Sequence, residues 1–212
     1  MRTLSILHLD EHLAVVDKPA GVLVVSAPGR SEPTLVDILT KQLGRRVQAV
    51  HRLDEDTTGV LVLALSDEGR AGMEDLFRTH AVHREYLALA AAAPSPPAGR
   101  IESNLEEGPG GVVRIVGKGG VRAVTHYRTL DRRGRCALVA CRLETGRRNQ
   151  IRVHLAALGC PLAGDRKYGY RRREGESFRR PMLHSWQLRF VHPVTGSEVS
   201  VQVDPEEPEL RA

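Results

Sequence analysis

Short apolar runs separated by acidic residues, prolines and glycines occupy the first half of the chain and recur near its end. Such runs are typical of strands bounded by turns. They predict strands over residues 5–9, 13–17, 21–25, 47–53, 60–65, 86–90, 121–130, 136–143, 183–191 and 198–203. The turn segments 131–135 and 193–196 join the last four of these strands as two hairpins.

Three segments carry the periodicity of amphipathic helices. Apolar residues at helical spacing predict a helix over residues 34–43. A second helix is predicted from Ser66, a favourable N-cap, to about residue 80. A third is predicted over residues 147–158, with Leu158 on its inward face and Gly159 as its stop.

Strand runs outnumber helical segments, and the two do not alternate as they do in a parallel α/β sheet. The pattern therefore predicts the α+β class, with a mainly antiparallel or mixed sheet and flanking helices. The proline-rich segment 91–99 (AAAPSPPAG) is expected to divide the sheet into two halves. We expect one domain over residues 1–203 and an acidic tail over residues 204–212, which holds four acids and one arginine.

Composition excludes several classes of protein. The 212 residues include no apolar run near the ~18 residues that a membrane span needs. Acidic residues interrupt the first 17 positions, so no signal peptide is expected. Cys136, Cys141 and Cys160 form neither a CxxC pair nor an even disulfide framework. They indicate isolated buried thiols in a reducing cytoplasm.

The charge balance favours a polyanionic partner. Lysine and arginine exceed aspartate and glutamate by 31 to 26, and basic residues cluster in segments 142–152 and 166–180. A positive field of this kind attracts phosphate-rich partners such as nucleic acid. A merely solvated basic surface would give the same composition, so charge makes nucleic acid plausible and no more.

The segment 51–59 (HRLDEDTTG) is the sharpest chemical feature. It places Asp54 at a predicted strand end, in a polar turn between two apolar runs. Catalytic side chains commonly lie on such loops, which a rigid scaffold positions. Asp56, by contrast, suits a turn or capping role, in which its carboxylate accepts nearby backbone amides.

Two later segments combine polar and basic residues with turns. Residues 143–155 (LETGRRNQIRVHL) turn at Gly146 and enter the third predicted helix, where Arg148 and Arg152 are four apart and expected on one face. Residues 161–169 (PLAGDRKYG) follow closely as a basic loop.

Together these segments resemble the RluA-type pseudouridine synthase family. The motifs that carry the resemblance occur in the family's order at residues 17–24 (DKPAGVLV), 51–59 (HRLDEDTTG), 83–88 (HREYLA), 145–155 (TGRRNQIRVHL), 159–169 (GCPLAGDRKYG) and 182–185 (MLHS). Thr58 replaces the usual serine and Arg84 the usual lysine. Arg148 and Asn149 stand where the family has Thr/Ser-His.

The resemblance implies a bent, mainly antiparallel sheet and a cofactor-independent isomerisation of uridine in ribosomal or transfer RNA. The N1–C1′ bond breaks, the uracil turns over and a C5–C1′ bond forms. No metal or other cofactor is implied. The chain starts almost directly at the first motif, so no S4-like RNA-binding domain is expected. We expect a monomeric cytoplasmic enzyme that contacts RNA and no membrane.

The resemblance also implies roles for individual side chains. Asp54 would be the catalytic carboxylate, acting either as a nucleophile at the sugar or as a base. Arg152 would pair with Asp54 and keep it ionised. Tyr86 would lie against the uracil and handle the C5 proton. Arg52 would fill the gap that the extruded base leaves, and Leu183 would line the substrate pocket.

Further residues are expected to hold RNA phosphates rather than to act on the base. They are Arg147, Arg148, Asn149, Arg171, Arg172 and Arg173.

Two functions from other classes stay as alternatives. Residues 54–58 (DEDTT) also fit the DxDxT loop of Mg²⁺-dependent phosphotransferases, although His51 and Arg52 interrupt the buried parallel strand that such a loop needs. A non-catalytic RNA-binding or ribosome-assembly protein on the same fold would share the basic field.

Overall fold

The computed structural model describes residues 3–212, and the elements are named here in chain order. The strands are β1 (Ser5–Leu9), β2 (Leu13–Lys18), β3 (Gln48–Ala49), β4 (Thr58–Ala64), β5 (His83–Ala90), β6 (Ala98–Glu107), β7 (Val113–Val116), β8 (Val121–Arg133), β9 (Cys136–Leu143), β10 (Leu183–Val191) and β11 (Glu198–Gln202). The helices are α1 (Leu35–Leu43), α2 (Asp67–Arg78) and α3 (Gln150–Ala157). The α+β class predicted from the sequence is confirmed.

The chain forms two compact units. The first contains residues 3–84 and Ser185–Asp204, and the second contains Glu85–His184 and Pro205–Ala212. None of the helices within residues 3–212 combines the length and the apolar composition that a membrane crossing needs.

The first unit is built on antiparallel pairs around β4. Strands follow the order β1-β2-β4-β10, with β3 also on β4 and β11 on β10. Val15 of β2 lies opposite Val62 of β4, and both are fully buried. They pack with Met73 of α2 and Phe190 of β10. This core fixes the strand that emerges from the polar turn at residues 54–57.

Two side chains define where the helices of the first unit begin. Thr34 accepts a hydrogen bond from the backbone N–H of Asp37, whose carboxylate accepts from the Thr34 N–H in return. This reciprocal pair is a capping box. Ser66 caps α2 by accepting from the N–H of Gly69 at 3.0 Å. The predicted helices over 34–43 and from Ser66 are confirmed.

The second unit is a sheet of antiparallel strands covered in part by α3. Its strand order is β5-β9-β8-β6-β7. Leu105 of β6, Val113 of β7 and Ala123 of β8 form a buried cluster with Val153 of α3. This packing seats α3 on the sheet, and α3 carries Arg152.

Two predicted strands are wrong or too long. Residues 21–25 form no strand, because the carbonyl of Leu23 accepts from the N–H of Leu35 at 2.8 Å, in the first turn of α1. The strand predicted over 47–53 is reduced to Gln48–Ala49. Beyond it the ring of His51, rather than a strand carbonyl, accepts the N–H of Val62 at 3.2 Å.

The sequence pattern missed β6 and β7. β6 (AGRIESNLEE) has a single buried residue, Leu105, and most of its other side chains are exposed or half-buried, so its apolar signal is weak. Backbone pairing with β8 forms the strand instead. The predicted break at residues 91–99 only joins β5 to β6 within the second unit, whereas the two units divide between Arg84 and Glu85.

The third helix starts later than predicted. Asn149 has a left-handed backbone with φ of 54°, so α3 begins at Gln150 and residues 147–149 precede it. Arg148 therefore does not share a helical face with Arg152. Leu158 is 37% exposed rather than inward, although the stop at Gly159 is confirmed by its φ of 74°.

Candidate active site

Asp54 opens a tight turn in the first unit. The N–H of Thr57 donates to the Asp54 carbonyl at 3.1 Å, and the N–H of Gly21 donates to the Glu55 carbonyl at 3.0 Å. The Asp54 side chain is half-buried, whereas Asp56 is exposed. The turn therefore presents one partly shielded carboxylate at the start of β4.

A fully buried lysine holds this turn. Lys18 ends β2, and its Nζ donates to the carbonyls of Pro19 at 3.0 Å, Glu55 at 2.7 Å and Thr57 at 2.9 Å. These bonds use all three ammonium protons. Two of the acceptors lie in the turn that Asp54 begins, so Lys18 fixes the backbone from which the carboxylate projects.

We expect Lys18→Met to loosen this turn. Methionine is close in length but donates no hydrogen bond, and a buried carbonyl left without a partner costs about 1–3 kcal/mol. Hydrogen exchange at the amides of Gly21 and Thr57 should accelerate, and the free energy of unfolding should fall by about 2–4 kcal/mol. Lys41→Met, at an exposed lysine of α1, is the matched control. Unchanged exchange at both amides would contradict the role of Lys18.

His51 is a structural neighbour of the turn and is held neutral. Burial, with the positive charge of Arg84 adding to it, lowers the pKa of His51 to about 3. Its Nε2 accepts the Val62 N–H, and its ring packs on Phe77 with centroids 4.5 Å apart. Arg52, the next residue, is exposed, as a side chain that contacts RNA must be.

In the second unit Arg152 forms a bidentate ion pair with Asp165. Its Nε and Nη2 lie 2.7 and 2.8 Å from the two carboxylate oxygens. The side chain of Asp165 is 1% exposed and that of Arg152 is 12% exposed. Sequence reasoning gave Arg152 the partner Asp54 and did not anticipate Asp165. The pairing with Asp54 stays a prediction.

Asn149 and Tyr168 hold the same guanidinium from other sides. Asn149 Oδ1 accepts from Arg152 Nη1 at 3.2 Å, and Asn149 Nδ2 donates to the Tyr168 hydroxyl at 2.8 Å. The Arg152 guanidinium lies 5.1 Å from the centre of the Tyr168 ring. Asn149 is buried and connects Tyr168 to Arg152. Its expected contact with RNA stays a prediction.

A buried polar network sets the start of α3. Gln150 Oε1 accepts from the Thr145 hydroxyl at 2.8 Å, and Gln150 Nε2 donates to the Val124 carbonyl at 2.9 Å. One turn later the ring of His154 contacts the hydroxyls of Ser103 and Thr125, each at 2.9 Å. The network fixes the rotation of α3 and hence the direction of Arg152.

His154 makes the stability of this network dependent on pH. Burial lowers its pKa to about 4, so the folded chain holds the ring neutral where the unfolded chain, with a pKa of about 6.5, takes up a proton. The free energy of unfolding should therefore fall as the pH is lowered from about 6.5 to about 4, by up to about 3 kcal/mol from this group.

Urea unfolding at about pH 7.5 and about pH 5 measures this effect. His154→Gln should show a smaller fall than the parent chain, because it removes the titrating ring and leaves His51 unchanged. His80→Asn, at an exposed histidine, should retain the full fall. Equal falls in His154→Gln and the parent chain would contradict the assignment.

The remaining predicted site residues fall into an exposed and a buried group. The exposed arginines are Arg147, Arg148, Arg171, Arg172 and Arg173. Arg148 already forms an ion pair with Glu107, and Arg173 Nη1 donates to the Ala91 carbonyl at 3.4 Å. Tyr86 on β5 and Leu183 at the start of β10 are buried. Asp54 and Arg52 lie in the first unit, and all the others lie in the second.

Sequence reasoning missed the residues that position the site. Lys18, Asp165, Gln150 and His154 are all buried and carry polar or charged groups. A weak signal existed for Gln150 and His154, which are four apart on a helix, beside the apolar positions Ile151 and Leu155. Lys18 and Asp165 lie within the motifs, but nothing in their neighbourhood in the sequence indicates burial.

Comparisons with known proteins identify the family of the chain. Residues 12–157 match the family model described as RNA pseudouridylate synthase. The chain is 36% identical over 223 residues to ribosomal large subunit pseudouridine synthase D of Zymomonas mobilis, covering 95% of this chain and 69% of that relative. It is 37% identical over 215 residues to the protein of the same name from Xylella fastidiosa, covering 93% and 65%. The chain thus spans about two thirds of the length of these curated relatives.

A solved human structure shares the fold. The protein described as RNA pseudouridylate synthase domain containing 1 superposes with a TM-score of 0.79 at 28% identity, over 98% of this chain and 86% of that one. The likeness therefore extends beyond the segment that the family model matches. The family predicted from the ordered motifs is confirmed, and the chain belongs to the RNA pseudouridylate synthases.

Proposed function

We propose that this chain isomerises uridines of ribosomal RNA to pseudouridine, with Asp54 as the catalytic carboxylate. The observation that carries the proposal is the Asp54 turn, in which a buried lysine fixes the backbone around one half-buried carboxylate. The family supports the reaction. The names of the two bacterial relatives support ribosomal RNA as the substrate.

The reaction needs no oxidant, reductant or group donor, because one glycosidic bond is exchanged for another within the same nucleotide. The bond from C1′ to N1 breaks and a bond from C1′ to C5 forms. C5 loses its hydrogen as a proton, and N1 gains one. Asp54 assists at the sugar or as a base, and we assign Tyr86 to the uracil and the transfer of the C5 proton.

Side chains of the second unit support RNA binding in this proposal. Arg147 and Arg171 are exposed, as Arg52 is in the first unit. Since a base buried in a stack is out of reach, the target uridine must leave the stack before it reacts. Leu183 is assigned to the apolar pocket that receives it. Action as a monomer in the cytoplasm stays a prediction from the sequence.

The loss of the C5 hydrogen provides the test. Ribosomal RNA transcribed with 5-tritiated uridine should release tritium to water when it is incubated with the chain. Sequencing of the same RNA should then map pseudouridine to specific positions. RNA that binds but releases no tritium would favour a non-catalytic binding protein.

The phosphotransferase alternative is not favoured. The strand that precedes residues 54–57 is β3, which has only two residues and pairs antiparallel with β4, whereas the DxDxT loop follows a buried parallel strand. Tritium release that persists in excess EDTA, with no phosphate liberated from phosphate esters, would exclude it.

A further inference from the structure

A shallow basic cavity in the second unit is lined by only one residue that the sequence assigns to RNA binding, Arg172. Its volume is about 240 Å³, and its lining consists of Arg166, Arg172, Ser177, Phe178 and Arg179. It lies in the loop segment between the Arg166–Tyr168 turn and β10.

The three arginines of this cavity have no acidic partner. Within residues 3–212, neither Arg166, Arg172 nor Arg179 lies in an ion pair, whereas Arg148, Arg152 and Arg180 each do. Arg172 is oriented by a hydrogen bond from its Nε to the Glu176 carbonyl at 2.7 Å. Three like charges around one concavity repel each other, and an anion between them removes that repulsion.

The loop that carries the cavity is anchored beside the Arg152 cluster. Gly164 precedes Asp165, and a Cβ at Gly164 would lie 1.9 Å from the carbonyl oxygen of Arg180 and 3.1 Å from Cβ of Phe178. Gly164 also has a φ of 82°. The backbone around Phe178 therefore packs directly on the residue before Asp165, and Arg166 follows Asp165 in the chain.

We propose that Arg166, Arg172 and Arg179, with the Ser177 hydroxyl, form a subsite for one phosphodiester of the substrate RNA. Guanidinium groups bind phosphate oxygens through paired N–H donors, and a hydroxyl adds a further donor. Phe178 provides an apolar surface for the attached nucleoside. This inference rests on the proposed function, which identifies the RNA.

The subsite distinguishes Arg172 from its neighbour in the chain, Arg173. Arg172 belongs to it, whereas Arg173 lines a different concavity with Arg135 and the acidic residues Glu174 and Glu176. Carboxylates near Arg173 offset its charge, so we expect it to contribute less to phosphate binding than Arg172.

Salt-dependent binding tests the subsite. A single phosphate contact to single-stranded RNA adds about 0.7 to the slope of log affinity against log salt. The double variant Arg166→Ala/Arg179→Ala should reduce the magnitude of this slope by about that amount. The triple variant that also carries Arg172→Ala should reduce it little further, because all three arginines share one phosphate. Arg179→Lys should keep part of the affinity, since it retains the charge but loses the fork. Arg189→Ala, at an exposed arginine of β10, is the control.

A neutral phosphate in the RNA identifies the partner. A single methylphosphonate at a contacted position of the RNA should weaken binding to the parent chain. At one such position, the methylphosphonate should not weaken binding to the triple variant, because the arginines that contact this phosphate are already absent. If the triple variant has an unchanged slope, or if no position shows this coupling, the subsite is wrong. Asp54→Asn in the same binding assay should keep the parent slope, so a failure of the isomerase proposal is distinguishable from a failure of the subsite.

Discussion

Asp54→Asn is expected to abolish uridine isomerisation while RNA binding survives. Asparagine has nearly the same shape as aspartate and fits the same turn, but its neutral amide is neither a competent nucleophile at C1′ nor a base. Loss of a general base typically lowers the rate by a factor of about 10²–10⁴, and loss of a nucleophile by about 10⁴ or more. Tritium release under single-turnover conditions, with the chain in excess over RNA, measures the rate without interference from product release.

Asp56→Asn is the matched control for this experiment. Asp56 lies two residues after Asp54, at an exposed position of the same turn. Its substitution by asparagine removes the same charge. We expect its rate to stay within about tenfold of the parent rate. If Asp54→Asn also stays within that range, or if Asp56→Asn loses as much, the assignment of Asp54 is wrong.

Local signals predicted the scaffold around Asp54 well. Ser66 was identified as an N-cap because its hydroxyl is suited to accept the N–H three residues on, and it does so at Gly69. The turn before β4 was equally visible, because polar residues interrupt two apolar runs. These features depend on residues close together in the chain.

Features that depend on distant partners were not predictable. In the sequence, Lys18 resembles an ordinary exposed lysine at the end of a strand. Its burial depends on carbonyls 37 and 39 residues away. Residues 21–25 have strand composition, but their carbonyls cap α1 instead. β6 is the converse case, because a largely polar sequence forms a strand through its backbone ladder with β8.

The Arg152–Asp165 pair gives the second large expected effect. Arg152→Met leaves the Asp165 carboxylate, with a side chain 1% exposed, without its bidentate partner. Removing one member of a buried pair costs about 3–5 kcal/mol. We therefore expect the free energy of unfolding in urea to fall by roughly that amount, and isomerisation to be lost. Arg152→Lys should be intermediate, because it keeps the charge without the planar fork.

The double variant Arg152→Met/Asp165→Asn separates the two roles that Arg152 can have. Neutralising Asp165 removes the uncompensated charge, so most of the lost stability should return, because the two substitutions act on one interaction and are not additive. If Arg152 served only to hold Asp165, isomerisation would return with stability. If Arg152 also acts on the reacting nucleotide or on the Asp54 carboxylate, as the family resemblance predicts, the double variant will be stable and still inactive. We expect the second result, because Asn149 and Tyr168 hold the Arg152 guanidinium from two further sides, a more elaborate arrangement than a structural ion pair requires.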